Sequence, residues 1–137
     1  MGLYIAVFQG DEELEGVEVG SYQDFGDFRD AVCTIVENGD LGSVCPTLML
    51  HEDSDGSWEP DEARMLLAEL DVIERVFQSQ APIELNSQWK QEVADELGLK
   101  PSNLLQCFFD VDGISLVSRL RQIAALAVAR GVPILFQ

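Results

Sequence analysis

Residues 51–62 carry oxygen-bearing side chains at the spacing of a calcium-binding loop. Asp53 and Asp55 stand at the third and fifth positions, Gly56 at the sixth and Glu62 at the twelfth, where an EF-hand loop places ligands and its turn glycine. Carboxylate oxygens are the ligands that a hard cation such as Ca²⁺ prefers. The segment therefore suggests a calcium-binding module with Asp53, Asp55 and Glu62 as metal ligands.

Other features favour a plain turn at this place. The first position is His51, where the calcium loop needs an oxygen ligand, and residues 47–50 read as a short buried strand, not an entering helix. Residues 110–113 repeat the Asp-x-Asp-Gly without a matching downstream glutamate. Aspartate turns preceding helices explain both copies, with glycine supplying a positive φ. The metal site is therefore the alternative reading, and no cofactor is predicted.

His51 is the single histidine of the chain, so any imidazole-based catalysis depends on it. The sequence contains no Gly-x-Ser-x-Gly elbow, no His-Glu-x-x-His pair and no catalytic cysteine signature. No set of nucleophile, base and oxyanion donor can be assembled. We predict no catalytic residue and no enzymatic activity.

The three cysteines, Cys33, Cys45 and Cys107, cannot all pair, and none belongs to a Cys-x-x-Cys motif. Their wide, irregular separations give little support to a zinc site shared with His51. Reduced thiols in a cytoplasm are the simplest interpretation.

Residues 1–8 are apolar but lack a basic leading region, so they predict a strand, not a signal peptide.

Negative charge is concentrated in the first half of the chain. The net charge is −17. Residues 1–62 contain sixteen acids and one base, Arg29, or −15, whereas residues 63–137 contain seven bases and nine acids, or −2. A field of one sign attracts partners of the opposite sign and repels like charges. The expected partner is a basic protein, and nucleic acid is disfavoured.

Motifs for phosphate recognition are also missing. The glycines are dispersed at turns and helix ends, without a Gly-x-Gly-x-x-Gly or Walker pattern. Apart from Arg119 and Arg121, the basic residues do not cluster. We predict neither nucleotide nor nucleic-acid binding.

The acidic half therefore becomes the candidate binding region. Its charge exceeds what a small domain needs for solubility, and self-repulsion makes it costly. Trp58, in a polar loop, is a candidate exposed anchor, whereas Tyr22, Phe25 and Phe28 fit a core at helical spacing. The predicted partner-binding residues are Asp11, Glu12, Glu13, Glu15, Asp24, Asp27, Asp53, Asp55 and Trp58.

A small sheet must position part of this region. Residues 3–8 and 16–20 read as the two strands of a hairpin around an acidic connection. Residues 47–50 add a short buried strand, residues 51–59 read as a polar loop, and residues 132–136 supply a closing strand.

Helices account for most of the remaining chain. Ser21 and Asp24 resemble a capping box that opens a first helix with its acids outward, and Pro60 opens a second with an apolar stripe. Further helices are predicted from Ser87 to Gly98, over residues 103–108 and over residues 114–129. The fold class is α+β, with about four strands packed against four to five helices, and residues 1–137 form one globular domain. No stretch is long and apolar enough to predict a membrane span.

Short segments spread over nearly the whole chain resemble one protein family. They are residues 2–8, 16–22, 46–48, 53–56, Trp89, and residues 97–101, 110–113 and 133–137. In this order and spacing the chain resembles the immunity protein 70 family of bacterial polymorphic toxin systems.

The resemblance implies a small α+β protein, made in the cytoplasm, that binds and neutralises a cognate toxin domain and has no catalysis of its own. Many toxin domains are nucleases with basic, phosphate-binding surfaces, and electrostatic steering would bring an acidic inhibitor onto such a surface quickly. The resemblance assigns no toxin-contacting residue, so the expected contacts rest on charge and exposure alone.

Overall fold

The computed structural model describes residues 2–52, 56–85 and 87–137. In this part of the chain a sheet of four strands is formed by β1 (Gly2–Gln9), β2 (Glu12–Ser21), β3 (Ser57–Trp58) and β4 (Ile134–Phe136). The order across the sheet is β2-β1-β4-β3, and each neighbouring pair is antiparallel. The final strand of the chain therefore lies beside the first.

The described residues also form five α-helices. They are α1 (Tyr22–Ala31), α2 (Pro46–Met49), α3 (Pro60–Gln78), α4 (Gln88–Leu97) and α5 (Leu116–Arg130). A π-helical segment, Val32–Val36, continues α1, and residues Leu105–Cys107 make one 3-10 turn. The predicted α+β fold class, with about four strands and four to five helices, is confirmed.

The core lies between one face of the sheet and the helices α1, α3 and α5. Ile5 and Val7 lie on the same face of β1, because successive side chains of a strand point to opposite faces. Both are fully buried. The predicted stripe of α3 is buried without exception: Ala63, Leu66, Leu70, Ile73 and Phe77. Burying one such large apolar side chain contributes about 1.5–3 kcal/mol to folding.

Local signals in the sequence account for several helix ends. Ser21 accepts a hydrogen bond from the Asp24 amide, and the Asp24 carboxylate accepts one from the Ser21 amide, which completes the predicted capping box. Gly98 and Gly131 end α4 and α5 in the left-handed conformation, with φ of 68° and 66°. Glycine reaches this region without a steric penalty, so both predicted stops are confirmed.

The expected strand at residues 47–50 is wrong, because this segment forms the short helix α2. Pro46 occupies its first turn, where a missing amide costs nothing. The buried Glu69 carboxylate of α3 accepts hydrogen bonds from the amides of Thr47 and Leu48, at 3.1 and 3.0 Å. A side chain 21 residues away in sequence stabilises this helix start. The apolar pattern of residues 47–50 does not reveal that contact.

Two other predicted elements differ from the structure. Residues 51–59 were expected as a loop but contain β3, which pairs with β4 through Ser57 and Trp58. The helix expected over residues 103–108 is only the turn Leu105–Cys107. No helix formed by the described residues has the length and apolar character needed to cross a bilayer.

Candidate functional site

The β1–β2 hairpin carries a run of exposed acids. Asp11, Glu12, Glu13 and Glu15 lie exposed at its tip and along β2, and Glu18 follows on the same strand. We call these five residues the acidic hairpin. Because β2 is an edge strand of the sheet, the acidic hairpin borders solvent along one side of the molecule.

Tyr4 of β1 lies among these acids. Its hydroxyl donates a hydrogen bond of 3.0 Å to Glu13 Oε2, and its ring covers Gly16, where a β-carbon would come within 2.1 Å of the hydroxyl. Burial, the bond to Glu13 and the charges of Glu13, Glu15 and Glu18 raise the pKa of Tyr4. The phenol therefore stays a neutral donor and orients one carboxylate of the acidic hairpin.

The acidic hairpin keeps its charge largely uncompensated. The ion pairs between described residues use acids outside the hairpin: Asp61, Asp71, Glu74 and Asp110. Arg119 and Arg130 reach the hairpin, but they bind the Gly16 carbonyl and the Gln9 amide oxygen. The carboxylates of the acidic hairpin therefore form no ion pair with any described residue.

Two acids of helix α1, Asp24 and Asp27, differ in how far they are buried. Asp27 is half-buried and accepts a bond of 2.8 Å from Gln23 Nε2. Asp24 was expected to point outward, and this is wrong: it is buried, and its Oδ2 accepts bonds from Ser21 and, at 2.9 Å, from Trp89 Nε1. The capping box turns the Asp24 side chain back over the helix start, and Trp89 then covers it.

Trp58 was expected as an exposed anchor, and the structure shows it fully buried. Its Nε1 donates a bond of 3.0 Å to the Thr47 carbonyl, and its ring meets Phe136 edge to face at 4.7 Å. Pairing of β3 with β4 turns this side chain into the core. A direct contact between Trp58 and a partner is therefore not supported by its position.

The His51 side chain, like that of Trp58, packs against Phe136 and lies beside backbone carbonyl oxygens. Its ring stacks on Phe136 at 4.3 Å. Nε2 lies 3.0 Å from the Ser57 carbonyl oxygen, and Nδ1 lies beside the Glu52 carbonyl oxygen. With both nitrogens facing backbone oxygens, the imidazole is poorly placed to act as a general base.

The candidate calcium loop gains little from the structure. Asp53 and Asp55 lie outside the described residues. Glu62 accepts a bond of 3.0 Å from the Glu59 amide as part of the capping box of α3. The entering helix is α2, with four residues only. Within the described ranges, no group of three His, Cys, Asp or Glu side chains is arranged to hold a metal ion.

The second Asp-x-Asp-Gly segment is a structural turn. Asp110 Oδ1 accepts bonds of 3.0 Å from the amides of Asp112 and Ile114, while Oδ2 lies 3.1 Å from Arg119 Nε. Arg119 also donates to the Gly16 carbonyl of β2. The buried Asp110 and the partly exposed Arg119 thus join the turn, α5 and β2.

The buried charges of Glu37, Glu69 and Lys90 were not predicted from the sequence. Glu37 accepts bonds from the amides of residues 42, 44 and 45, and Glu69 caps α2. Burial lowers the pKa of Lys90, although the nearby carboxylates of Asp24 and Asp27 oppose that effect. The available signal was a charged residue at a core-facing helical position, since Glu69 lies three residues after Leu66 and Lys90 lies four before Ala94.

The buried thiols are held in their protonated form. Burial, followed by the charges of Glu69 and Glu37, raises the pKa of Cys45 to about 12, and burial raises the pKa of Cys107. All three cysteines are free, as expected. Neither Cys45 nor Cys107 has the thiolate character that nucleophilic catalysis requires.

Comparison with protein-family models matches residues 3–136 to the family described as immunity protein 70. The chain belongs to the immunity protein 70 family. The resemblance seen in the sequence is therefore confirmed over nearly the whole chain. Neither the curated proteins nor the solved structures gave a match.

Proposed function

We propose that this immunity protein binds a cognate toxin domain and neutralises it by covering its working surface. Membership of the immunity protein 70 family over residues 3–136 carries this proposal. The protein acts as a stoichiometric inhibitor without catalysis of its own. We expect it to meet the toxin in the cytoplasm, where its free thiols stay reduced.

The chemistry of the acidic hairpin supports a basic toxin surface as the target. Asp11, Glu12 and Glu15 are exposed and make no ion pair with any described residue. Such carboxylates recover part of their desolvation cost only when a partner supplies cations. A nuclease active surface, which must hold phosphates, supplies them.

Binding would proceed in two stages. The net charge of −17 steers a basic domain toward the protein and raises the association rate. The exposed carboxylates of the acidic hairpin then occupy the positions that substrate phosphates would take. Nucleic acid, which carries the same sign of charge, is excluded from both partners in the complex.

The experiment is recovery of the partner from the native host. Tagged protein is captured at low salt, eluted in rising NaCl, and the eluate is identified by mass spectrometry. We expect a basic protein with a toxin domain, released by salt, that kills or arrests cells unless this chain is co-expressed. Absence of any such partner under toxin-expressing conditions would overturn the immunity role.

A matched pair of charge reversals tests the acidic hairpin. Glu12→Lys and Glu84→Lys each replace one exposed acid and change the net charge equally. If the hairpin faces the toxin, Glu12→Lys should slow association at least about threefold at low salt and Glu84→Lys much less. Equal effects would show that only the overall charge matters, while the immunity role itself would stand.

A further inference from the structure

A cleft lies between the start of α1 and helix α4, apart from the acidic hairpin. It has a volume of about 320 Å³. Trp89, Val93 and Val111 supply its apolar lining, and the exposed Glu92 and Glu96 stand at its rim. No base is among its lining residues. An apolar lining under a rim of carboxylates is the surface that a long cationic side chain fits.

The aromatic wall of the cleft is held in place before any partner arrives. Trp89 Nε1 donates to Asp24 Oδ2 at 2.9 Å, and its ring meets Phe109 edge to face at 6.1 Å. A β-carbon at Gly20 would come within 2.9 Å of Trp89 Cζ2, and this residue has φ of +119°. Only glycine allows the indole to lie this close to the β2 backbone.

The two rim carboxylates lie one helical turn apart on α4, so they face the same side. Glu92 accepts one bond, from Gln88 Nε2, and Glu96 accepts none from the described residues. Buried Lys90 adjoins Trp89 at 5.9 Å but is not part of the cleft lining, and Asp24 and Asp27 act on its charge. The carboxylates of Glu92 and Glu96 can therefore accept further hydrogen bonds at the rim.

We propose that this cleft receives an arginine side chain of the toxin. The proposal rests on the immunity function proposed above and names a second contact for it. Arginine fits better than lysine because its planar guanidinium stacks on aromatic rings and donates to two carboxylates together. Its aliphatic stem would pack on Val93 and Val111.

The other cavities fit this ligand less well. The cavity beside Phe108 and Phe109 is lined by Lys100, which repels a cation. The cavity beside Ile35 and Ile83 has one acid, Asp30, in a mainly apolar lining. Of these three cavities, the one beside α4 combines two exposed carboxylates with an aromatic ring, and the other two do not.

NMR of the two indole N–H groups provides the test, with N-acetyl-arginine methylamide as the probe. Trp89 borders the cleft, and buried Trp58 is an internal control in the same spectrum. We expect a saturable shift of the Trp89 signal with millimolar affinity and none for Trp58. The uncharged citrulline analogue should bind at least about fivefold more weakly. No saturable shift at Trp89 up to about 100 mM probe, or equal shifts with citrulline, would overturn the proposal.

Paired variants locate the contact. Glu92→Gln/Glu96→Gln should weaken probe binding at least about threefold, whereas Glu12→Gln/Glu13→Gln on the acidic hairpin should leave it unchanged. All four side chains are exposed, so both variants should fold. Equal weakening by the two variants would show general attraction to acids and would overturn a specific cleft.

With the recovered toxin, the cleft variant should speed dissociation at least about tenfold and change association little. Unchanged dissociation would overturn the cleft contact while leaving the immunity role intact. Failure of the wild-type protein to bind any toxin would instead overturn the immunity role, and the arginine titration would still report on the cleft.

Discussion

Buried carboxylates hold the irregular segments of this protein in place. Glu37 accepts three backbone amides, Glu69 accepts two at the start of α2, and Asp110 accepts two in the turn before α5. An unpaired amide in such a place would cost about 1–3 kcal/mol. These carboxylates therefore stabilise the fold by accepting backbone hydrogen bonds, in contrast to the exposed acids of the hairpin.

Glu37→Gln should destabilise the protein by about 1–3 kcal/mol. Glu37 Oε1 accepts from the Gly42 amide, and Oε2 accepts from the amides of Val44 and Cys45. A glutamine offers one oxygen and an NH₂ group that cannot accept, so at least one amide loses its partner. Urea unfolding measures the change. Glu12→Gln is the exposed control, and an equal loss in both variants would contradict the role given to Glu37.

Cys45 should make the protein less stable at alkaline pH. Its pKa rises from about 9 in the unfolded chain to about 12 in the fold, so its contribution to stability is full below pH 9 and is lost as the pH rises toward 12. Cys45→Ala should lose less stability than the wild type between pH 8 and about 10.5. Urea titrations at several pH values provide the measurement, and parallel declines would count against it.

At the level of elements, the Asp110–Arg119 pair links a turn, a helix and the sheet edge. Arg119→Met leaves the Asp110 charge buried without its cation, since Asp110 is only 1% exposed. We expect a loss of roughly 3 kcal/mol in urea unfolding.

The double variant Asp110→Asn/Arg119→Met supplies the control. The asparagine keeps Oδ1 as acceptor for the amides of Asp112 and Ile114 and removes the buried charge. It should therefore recover part of the loss. A double variant no more stable than Arg119→Met would show that lost packing, not the stranded charge, causes the effect.

The elements with strong local signals could be predicted from the sequence. The capping box of α1, Pro60 at the start of α3 and Gly131 after α5 each act within one helical turn. α2 and β3 could not be predicted, because the first depends on the distant Glu69 and the second on pairing with β4 at the end of the chain. Both contacts join segments far apart in sequence.

In the candidate site too, features set by local sequence could be predicted, and features set by contacts between distant segments could not. Exposure of Asp11, Glu12, Glu13 and Glu15 was predictable from their charge, but the expected connection before residue 16 is wrong, because β2 already begins at Glu12 and pairs with β1 there. Burial of Asp24 was hidden because Trp89, its partner, lies 65 residues away in sequence. The α4 cleft was invisible for the same reason, since its walls come from separate parts of the chain.

The whole molecule carries repulsion that salt should relieve. With a net charge of −17, raising NaCl from about 20 mM to about 0.5 M shortens the range of repulsion between its acids. If about 1 kcal/mol is regained, the Tm rises by about 3 °C. Calorimetry measures this without any toxin.

A variant with fewer hairpin charges tests the source of that effect. Asp11→Asn/Glu12→Gln/Glu13→Gln should begin with a higher Tm at low salt and gain less from NaCl. An identical gain in this variant would place the repulsion elsewhere in the molecule. A fall of the wild-type Tm with NaCl would contradict the repulsion itself.

The position of β2 at the open edge of the sheet also bears on how the protein behaves among copies of itself. An unpaired strand offers backbone donors and acceptors to any other strand, and this is a common route to aggregation. The glutamates along β2 would lie close to the same glutamates of an approaching copy, and their repulsion keeps the two edges apart. The acidic side chains of β2 therefore disfavour pairing of two copies of the protein through this edge of the sheet.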